Sequence, residues 1–338
     1  MFYKRKILLI IAIVFLSFSC LMGCVNESSN TDLIPPTLPP DKPPFTPCFS
    51  VNFIDVGEGD CIFIQFNDGK TMLIDSGDKN ENLSNKIVDF IKKKSVDKID
   101  YFLLTHPDSD HIGNALDIIE NFDIGVMFLP DITLGNLSLF PLYQEILDKI
   151  NQKEIAVNTS DCYDLVKEND YFFAFLSPSP KAFLDSSYRD FLMTETPSST
   201  QVNALSPIVY LDIDGVRFIF TGDAPFSQEK VALSLNRINK VYYQKQGISV
   251  NLENIDFLKV GHHGANDSSS WDFLETLTPK NFVISVAGNN FYGHPTTEVL
   301  ERILTVNPNG KIYRTDVHGT ISVLIDDDGQ INVQTDIG

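Results

Sequence analysis

The sequence predicts an α/β sandwich, two β-sheets covered by helices on both outer faces. Three observations lead there. Short apolar strands meander through the start of the folded part, strand–helix alternation follows, and the same succession then runs a second time. A length of 338 residues suffices for a full core, and hydrophobic residues at 43% with charged residues at 21% are ordinary for a globular chain.

Strands are expected at 51–55, 61–66 and 71–75, separated by Gly57, Gly59 and the Asn67-Asp68-Gly69 turn. Residues 83–94 have helical spacing, 99–104 is a buried strand running straight into Thr105-His106, and 111–122 is helical again. Further strands are expected at 172–176, 207–212, 216–221, 255–260 and 281–286, helices at 225–236 and 296–305, and a final β-ribbon after Lys311. The Ser-, Pro- and Thr-rich stretch 177–202 reads as a long loop placed to lie over a site. Residues 237–251, with Tyr242, Tyr243 and Gln244, read either as an insertion or as part of a substrate wall.

The N-terminus has a different character. Lys4, Arg5 and Lys6 precede an apolar run over 7–18 that is too short for a comfortable membrane span. It ends in Leu21-Met22-Gly23-Cys24, which resembles a bacterial lipobox. Residues 1–23 are therefore expected to be a lipoprotein signal peptide, with Cys24 lipidated; the competing reading is an uncleaved signal anchor. Residues 24–48, with Pro35, Pro36, Pro39, Pro40, Pro43 and Pro44, cannot pack a core and read as a stalk-like linker ahead of a folded domain over 49–338. The expected location is the extracellular face of the bacterial cell membrane, with the lipid on Cys24 as the membrane contact. Beyond Cys24, three cysteines (Cys48, Cys61 and Cys162) allow at most one disulfide, and Cys61 reads as a small core residue. A formal charge of −19 opposes tight nucleic-acid binding, yet leaves a phosphate substrate open if bound cations invert the local field.

Chemistry concentrates in Thr105-His106-Pro107-Asp108-Ser109-Asp110-His111-Ile112-Gly113, between a buried strand and a helix. Two imidazoles and two carboxylates so close in sequence can serve two adjacent cations, His106 with Asp108 and Asp110 with His111. Taken singly, Asp108 or Asp110 reads as a helix cap and each histidine as solvated; their density favours metal. Two other expected strands end the same way, one in Thr221-Gly222-Asp223 and one in Gly261-His262-His263-Gly264. The Asp223 carboxylate can bridge two cations, and one histidine of the 262–263 pair can complete a shell.

The chain resembles the metallo-β-lactamase superfamily and, within it, the hydrolase domain of ComEC-type DNA-uptake proteins. The matching words are Asp55-Val-Gly-Glu-Gly-Asp60, Leu73-Ile-Asp-Ser-Gly77, the 105–113 segment, Phe220-Thr-Gly-Asp-Ala224, Leu258-Lys-Val-Gly-His-His-Gly264, Tyr292-Gly-His-Pro295 and Tyr313-Arg-Thr-Asp316, in family order. The resemblance implies a four-layer αββα metallo-β-lactamase sandwich and a metal-dependent hydrolase with two divalent metal ions, zinc or manganese. It implies His106 and Asp108 on one ion, Asp110 and His111 on the other, Asp223 as bridge and His262 as the remaining ligand. His263 is then a neighbour acting on substrate, although the two can be exchanged. Asp75 and Asp60 support the ligands, Asn203 and Ser206 match part of a subgroup motif, and His294 sits where a proton donor or phosphate contact is needed.

Four departures stand out. Asp108 replaces the histidine of most superfamily members, a change shared with the subgroup, and the harder oxygen set suits manganese or iron as well as zinc. No histidine lies between His111 and His262, so the superfamily's intermediate ligand is missing. Asn203-Ala204 lacks a second Asn, and Gly264-Ala265-Asn266 replaces a Ser-Lys type continuation. The expected reaction is nuclease-like phosphodiester hydrolysis of DNA fragments or wall polymers by a metal-bridging hydroxide, with Asp110, His263 and His294 in the catalytic set. The alternatives are a teichoic-acid phosphorylcholine esterase-like enzyme, its choline caged by Tyr242, Tyr243, Phe291 and Tyr292, or a non-catalytic surface binding module that retains the fold.

Overall fold

The computed structural model describes residues 45–130, 139–179 and 197–337. The expected signal peptide, Cys24 and the linker up to residue 44 lie outside the described residues, as do 180–196 of the expected long loop.

The first sheet holds β1 (Pro47–Phe53), β2 (Ile62–Gln65), β3 (Thr71–Ile74), β4 (Lys98–Leu103), β5 (Asp123–Leu129), β6 (Ala156–Thr159), β14 (Ile321–Asp326) and β15 (Ile331–Thr335). Their order is β15-β14-β1-β2-β3-β4-β5-β6, antiparallel up to β3 and parallel from β3 onward. The second sheet holds β7 (Leu165–Lys167), β8 (Tyr171–Ser177), β9 (Ile208–Ile213), β10 (Val216–Phe220), β11 (Phe257–Lys259), β12 (Asn281–Ile284) and β13 (Lys311–Arg314), in the order β13-β12-β11-β10-β9-β8-β7. Here β10 to β13 run parallel.

Strand periodicity sorts the apolar side chains into layers. Phe63, Leu73 and Phe102 point outward to α1 (Glu81–Lys93), α3 (Ala115–Asn121) and α4 (Pro141–Gln152). Their neighbours Ile62, Met72 and Leu103 point inward, against Phe173, Phe218 and Phe257 of the second sheet. The opposite face of that sheet, with Tyr210, Ile219 and Leu258, is covered by α6 (Phe226–Lys245), α7 (Trp271–Leu277) and α8 (Thr297–Val306), while the short α5 (Ser199–Asn203) leads into β9. The result is a four-layer αββα sandwich, the expected fold class. Fully burying each aromatic between the sheets contributes about 1.5–3 kcal/mol.

Several boundaries differ from expectation for identifiable reasons. Strand β1 takes in Pro47 and Cys48 from the expected linker; Pro47 pairs with Asp326 at the strand's first residue, where a missing N–H is tolerated. The helix expected over 111–122 is two pieces, α2 (Ser109–Ile112) and α3, because the N–H groups of Gly113 and Asn114 turn to the Gly77 carbonyl and the Ser76 hydroxyl, where only a glycine fits at 113: a Cβ would lie 2.1 Å from the Lys79 nitrogen. Most of 237–251 continues α6, whose Ala232, Asn239 and Tyr243 stay on its buried side. The segment after Lys311 splits: β13 joins β12 in the second sheet, while β14 and β15 close the first. Cys48, Cys61 and Cys162 are free thiols.

Parallel strands place their carboxyl ends together, where open α/β sheets form ligand crevices. Asp75 follows β3, His106 follows β4, Asp223 follows β10, and His262 and His263 follow β11.

Candidate metal centre

Asp223 is the hub of this crevice. Its Oδ1 lies 3.3 Å from His111 Nε2 and 3.6 Å from His263 Nε2. Its Oδ2 lies 3.7 Å from His262 Nε2 and 4.0 Å from His106 Nε2. One carboxylate is thus shared between two pairs of imidazoles. Each pair has a further carboxylate: Asp110 Oδ2 is 3.4 Å from His263 Nε2, and Asp108 Oδ2 is 3.7 Å from His106 Nε2. Asp108 occupies the N-cap position of α2, but its side chain makes no capping hydrogen bond.

The other ring nitrogens are held by the protein, which turns each Nε2 inward. His111 Nδ1 donates to Asp75 Oδ2 at 2.7 Å, and Asp75 is itself fixed by the Thr105 N–H at 2.8 Å and the Thr105 hydroxyl at 2.7 Å. His106 Nδ1 sits 3.1 Å from both Thr105 Oγ1 and Ser206 Oγ, and the same Ser206 oxygen accepts the Asp223 N–H at 3.2 Å. His263 Nδ1 donates to the Ser285 carbonyl at 2.9 Å, and His262 Nδ1 to Asp267 Oδ1 at 2.8 Å. Asn203 Nδ2 is 3.3 Å from His262 Nε2.

Local backbone geometry makes this possible. His262 and His263 are both left-handed, with φ of 48° and 53°, so adjacent side chains reach the two oxygens of Asp223. Such conformations cost about 1–3 kcal/mol each and persist where the surroundings over-determine them. Gly59, at φ +115°, lets the 55–60 loop lie on the Asp110 carbonyl, which a Cβ there would approach to 2.1 Å.

Electrostatics follow from this crowding. Burial alone would raise the carboxyls of Asp223 and Asp110, but His263 and His111 outweigh it for the first, and His111 and a His263 hydrogen bond for the second. Both are held well below the usual carboxylate range. Burial would lower His111, His263 and His262; Asp223 prevails at the first two and Asp267 at the third, and all three are raised.

Metal fits this donor set. Nε2 of His106, His111 and His263 and Oδ1 of Asp223 are buried without a hydrogen-bond partner, although buried polar atoms are almost always paired. Ligand atoms of Asp110, His111, Asp223 and His263 all lie within 4.8 Å of one another. Imidazole nitrogen with carboxylate oxygen suits divalent transition metals.

The roles expected of the adjacent histidines are redistributed. His263, expected beside substrate, is buried within the Asp110–His111–Asp223 group, whereas His262 faces Oδ2 from the more open side. His262 stands with His106 and Asp108 on the Oδ2 side of Asp223. The crevice does not bring together the four aromatics expected to cage choline. Tyr292 stacks on His294, while Tyr242 donates to the Tyr163 carbonyl and Tyr243 to the Phe175 carbonyl on β8, three strand spacings (roughly 14 Å) from β11.

Other residues of the site were not picked out in the sequence: Thr105, Asp267, Ser285, Glu58 and Lys259. Glu58 Oε1 faces His294 Nδ1 at 3.6 Å, both atoms buried and unpaired, while its Oε2 accepts the Ala287 N–H at 2.9 Å. The signal for Glu58 and Lys259 was their place inside the Asp55–Asp60 and Leu258–Gly264 words.

Comparison with known proteins agrees with this geometry. The Metallo-beta-lactamase superfamily profile matches residues 54–134, which include the His106–His111 segment. ComE operon protein 3 of Bacillus subtilis (strain 168) is 27% identical over 286 residues, covering 80% of this chain and 32% of that protein. Competence protein ComA of Neisseria gonorrhoeae is 25% identical over 274 residues, again 80% of this chain and 32% of the other. The chain therefore spans about a third of the length of these relatives. Among solved structures, CmlA, a diiron beta-hydroxylase from Streptomyces venezuelae, superposes with a TM-score of 0.52 at 14% identity, covering 83% of this chain and 55% of that one, a likeness of fold. The sandwich, the crevice at its parallel strand ends and the matched segment agree: the chain has the metallo-β-lactamase fold and resembles that superfamily and the corresponding part of ComEC-type competence proteins.

Proposed function

We propose that this chain is a two-metal phosphodiesterase, held by a lipid on Cys24 at the outer face of the bacterial membrane and acting on phosphoesters there, DNA fragments or wall polymers. The observation that carries the reading is the division of the Asp223 oxygens between two imidazole–carboxylate sets. In this reading His106, Asp108 and His262 hold one divalent ion, Asp110, His111 and His263 the other, and Asp223 joins them. Zinc or manganese bound there would supply positive charge for the phosphoryl oxygens and acidify a water.

The chain's own residues do the remaining work. Asp75 keeps Nδ1 of His111 protonated and its Nε2 free as a ligand. Ser206 ties the Asp223 backbone to His106, fixing the bridge relative to one ion. His294 turns Nδ1 toward Glu58, stacks on exposed Tyr292, and lies 5.5 Å ring to ring from His262, leaving its Nε2 to meet the leaving oxygen. A net charge of −19 favours small or fragmentary substrates over tight binding of polymeric nucleic acid. The lipid anchor of this reading is supported by the Leu21-Met22-Gly23-Cys24 word; among the described residues no helix is long and apolar enough to cross a membrane.

The test combines elemental analysis of the purified full chain in detergent with a substrate panel: a generic phosphodiester, single-stranded DNA and phosphocholine esters. Two ions per chain and chelator-sensitive diester turnover are expected. Undiminished turnover in metal-free protein overturns the proposal.

A further inference from the structure

The salt bridge between Lys259 and Asp60 lies beneath the centre. Lys259 Nζ is 2.6 Å from Asp60 Oδ2 and 3.3 Å from the Gly222 carbonyl, and the two side chains are 0% and 1% exposed. Lysine is almost never fully buried, and desolvating such a pair costs several kcal/mol per ion. A well-packed apolar pair of the same volume often serves stability as well or better. Stability therefore gives no reason for these charges; their surroundings do.

Each end of the pair touches a segment that carries candidate ligands. Gly222, whose carbonyl accepts from Lys259, immediately precedes Asp223. The Asp60 N–H donates to the Asp110 carbonyl at 3.3 Å, and the Asp60 carbonyl accepts the Gly77 N–H at 2.8 Å, two residues beyond Asp75. Asp60 Oδ1, buried and without a hydrogen-bond partner, lies 3.8 Å from His263 Nδ1. Lys259 itself ends β11, three residues before His262. Among the described residues it is the one Lys or Arg that pairs with a carboxylate of this cluster.

We propose that Lys259 is a positioning residue of the metal centre. Through Gly222 and Asp60 it locks the Asp223 turn to the segments bearing Asp110 and His263, so that their ligand atoms are converged before metal arrives. The inference rests on the two-ion reading above.

The single variant Lys259→Met would mix two opposed effects. Losing a positive charge strengthens cation binding by Coulomb attraction, while losing the tether weakens it. The double variant Lys259→Met with Asp60→Asn separates them, because it leaves the net charge of the centre unchanged and no buried charge unpaired. Metal affinity of the full-length protein in detergent is measured by calorimetric titration with Zn²⁺ and with Mn²⁺, and folding by circular dichroism and the melting temperature of the metal-free protein. The expected result is a folded double variant whose affinity is weaker by about 10–100-fold, the usual effect of removing support for a ligand. Affinity within twofold of wild type overturns the role of Lys259 while leaving the centre intact; a wild type that takes up neither metal overturns the centre itself. Should the double variant not fold, ¹⁵N-lysine-labelled wild type decides: the Lys259 ammonium resonance shifts on metal addition if the tether is coupled to the site, and its indifference overturns the proposal.

Discussion

Around Oδ1 of Asp223, the side chains of His111 and His263 are 0% and 2% exposed, and His111 is backed by an equally buried aspartate, Asp75. Around Oδ2, His106 is also fully buried, but His262 is 24% exposed and backed by the half-exposed Asp267, and Asp108 at 40% is somewhat more open than Asp110 at 30%. The donors are alike on the two sides, so the contrast lies in desolvation and in how firmly each ring is held. In the proposed two-ion reading the inner half is the one built for retention. The outer half, open toward His294 and Tyr292, is then the side with room for substrate.

The comparison breaks first at the shared residue. Asp223→Ala should empty both halves and lower phosphodiester turnover by about a thousandfold; elemental analysis after dialysis checks it, and two retained ions would show that the halves do not depend on a bridge. Asp108→Ala should strip the outer half alone, leaving one tightly held ion per chain, so a variant that lost both ions would erase the distinction between halves. A smaller loss is expected from Asp75→Asn, about 10–100-fold in affinity for the inner ion. The smallest is expected from Asp267→Asn, a few-fold for the outer ion, because a half-exposed partner is screened by water. Competition titrations with a chromogenic chelator rank these two, and an equal or reversed order would dissolve the inner–outer contrast.

Much of this was legible in the residues themselves. Strands that lie buried on both faces announce themselves as apolar runs, as Ile99 to Leu104 and Val216 to Phe220 do, and the dense His106–His111 segment needs no tertiary information to suggest metal. Short edge strands were not legible: β6 has all its residues solvent-facing, and β7 offers only the pair Leu165-Val166 before Lys167. Strand β5 was hidden because it follows α3 with one residue between them. Choosing between His262 and His263 required φ angles, since no sequence pattern reports that two successive histidines are left-handed. Lys259 was hidden for the opposite reason: a lysine closing an apolar strand ordinarily reaches solvent, and only the fold shows Asp60 waiting for it.

That doubled left-handed turn at 262–263 has a mechanical outcome. Neighbouring peptide units serve opposite sides of one carboxylate, so neither imidazole can settle without constraining the other. Relaxing either left-handed residue should therefore loosen the imidazoles on both sides of Asp223 at once.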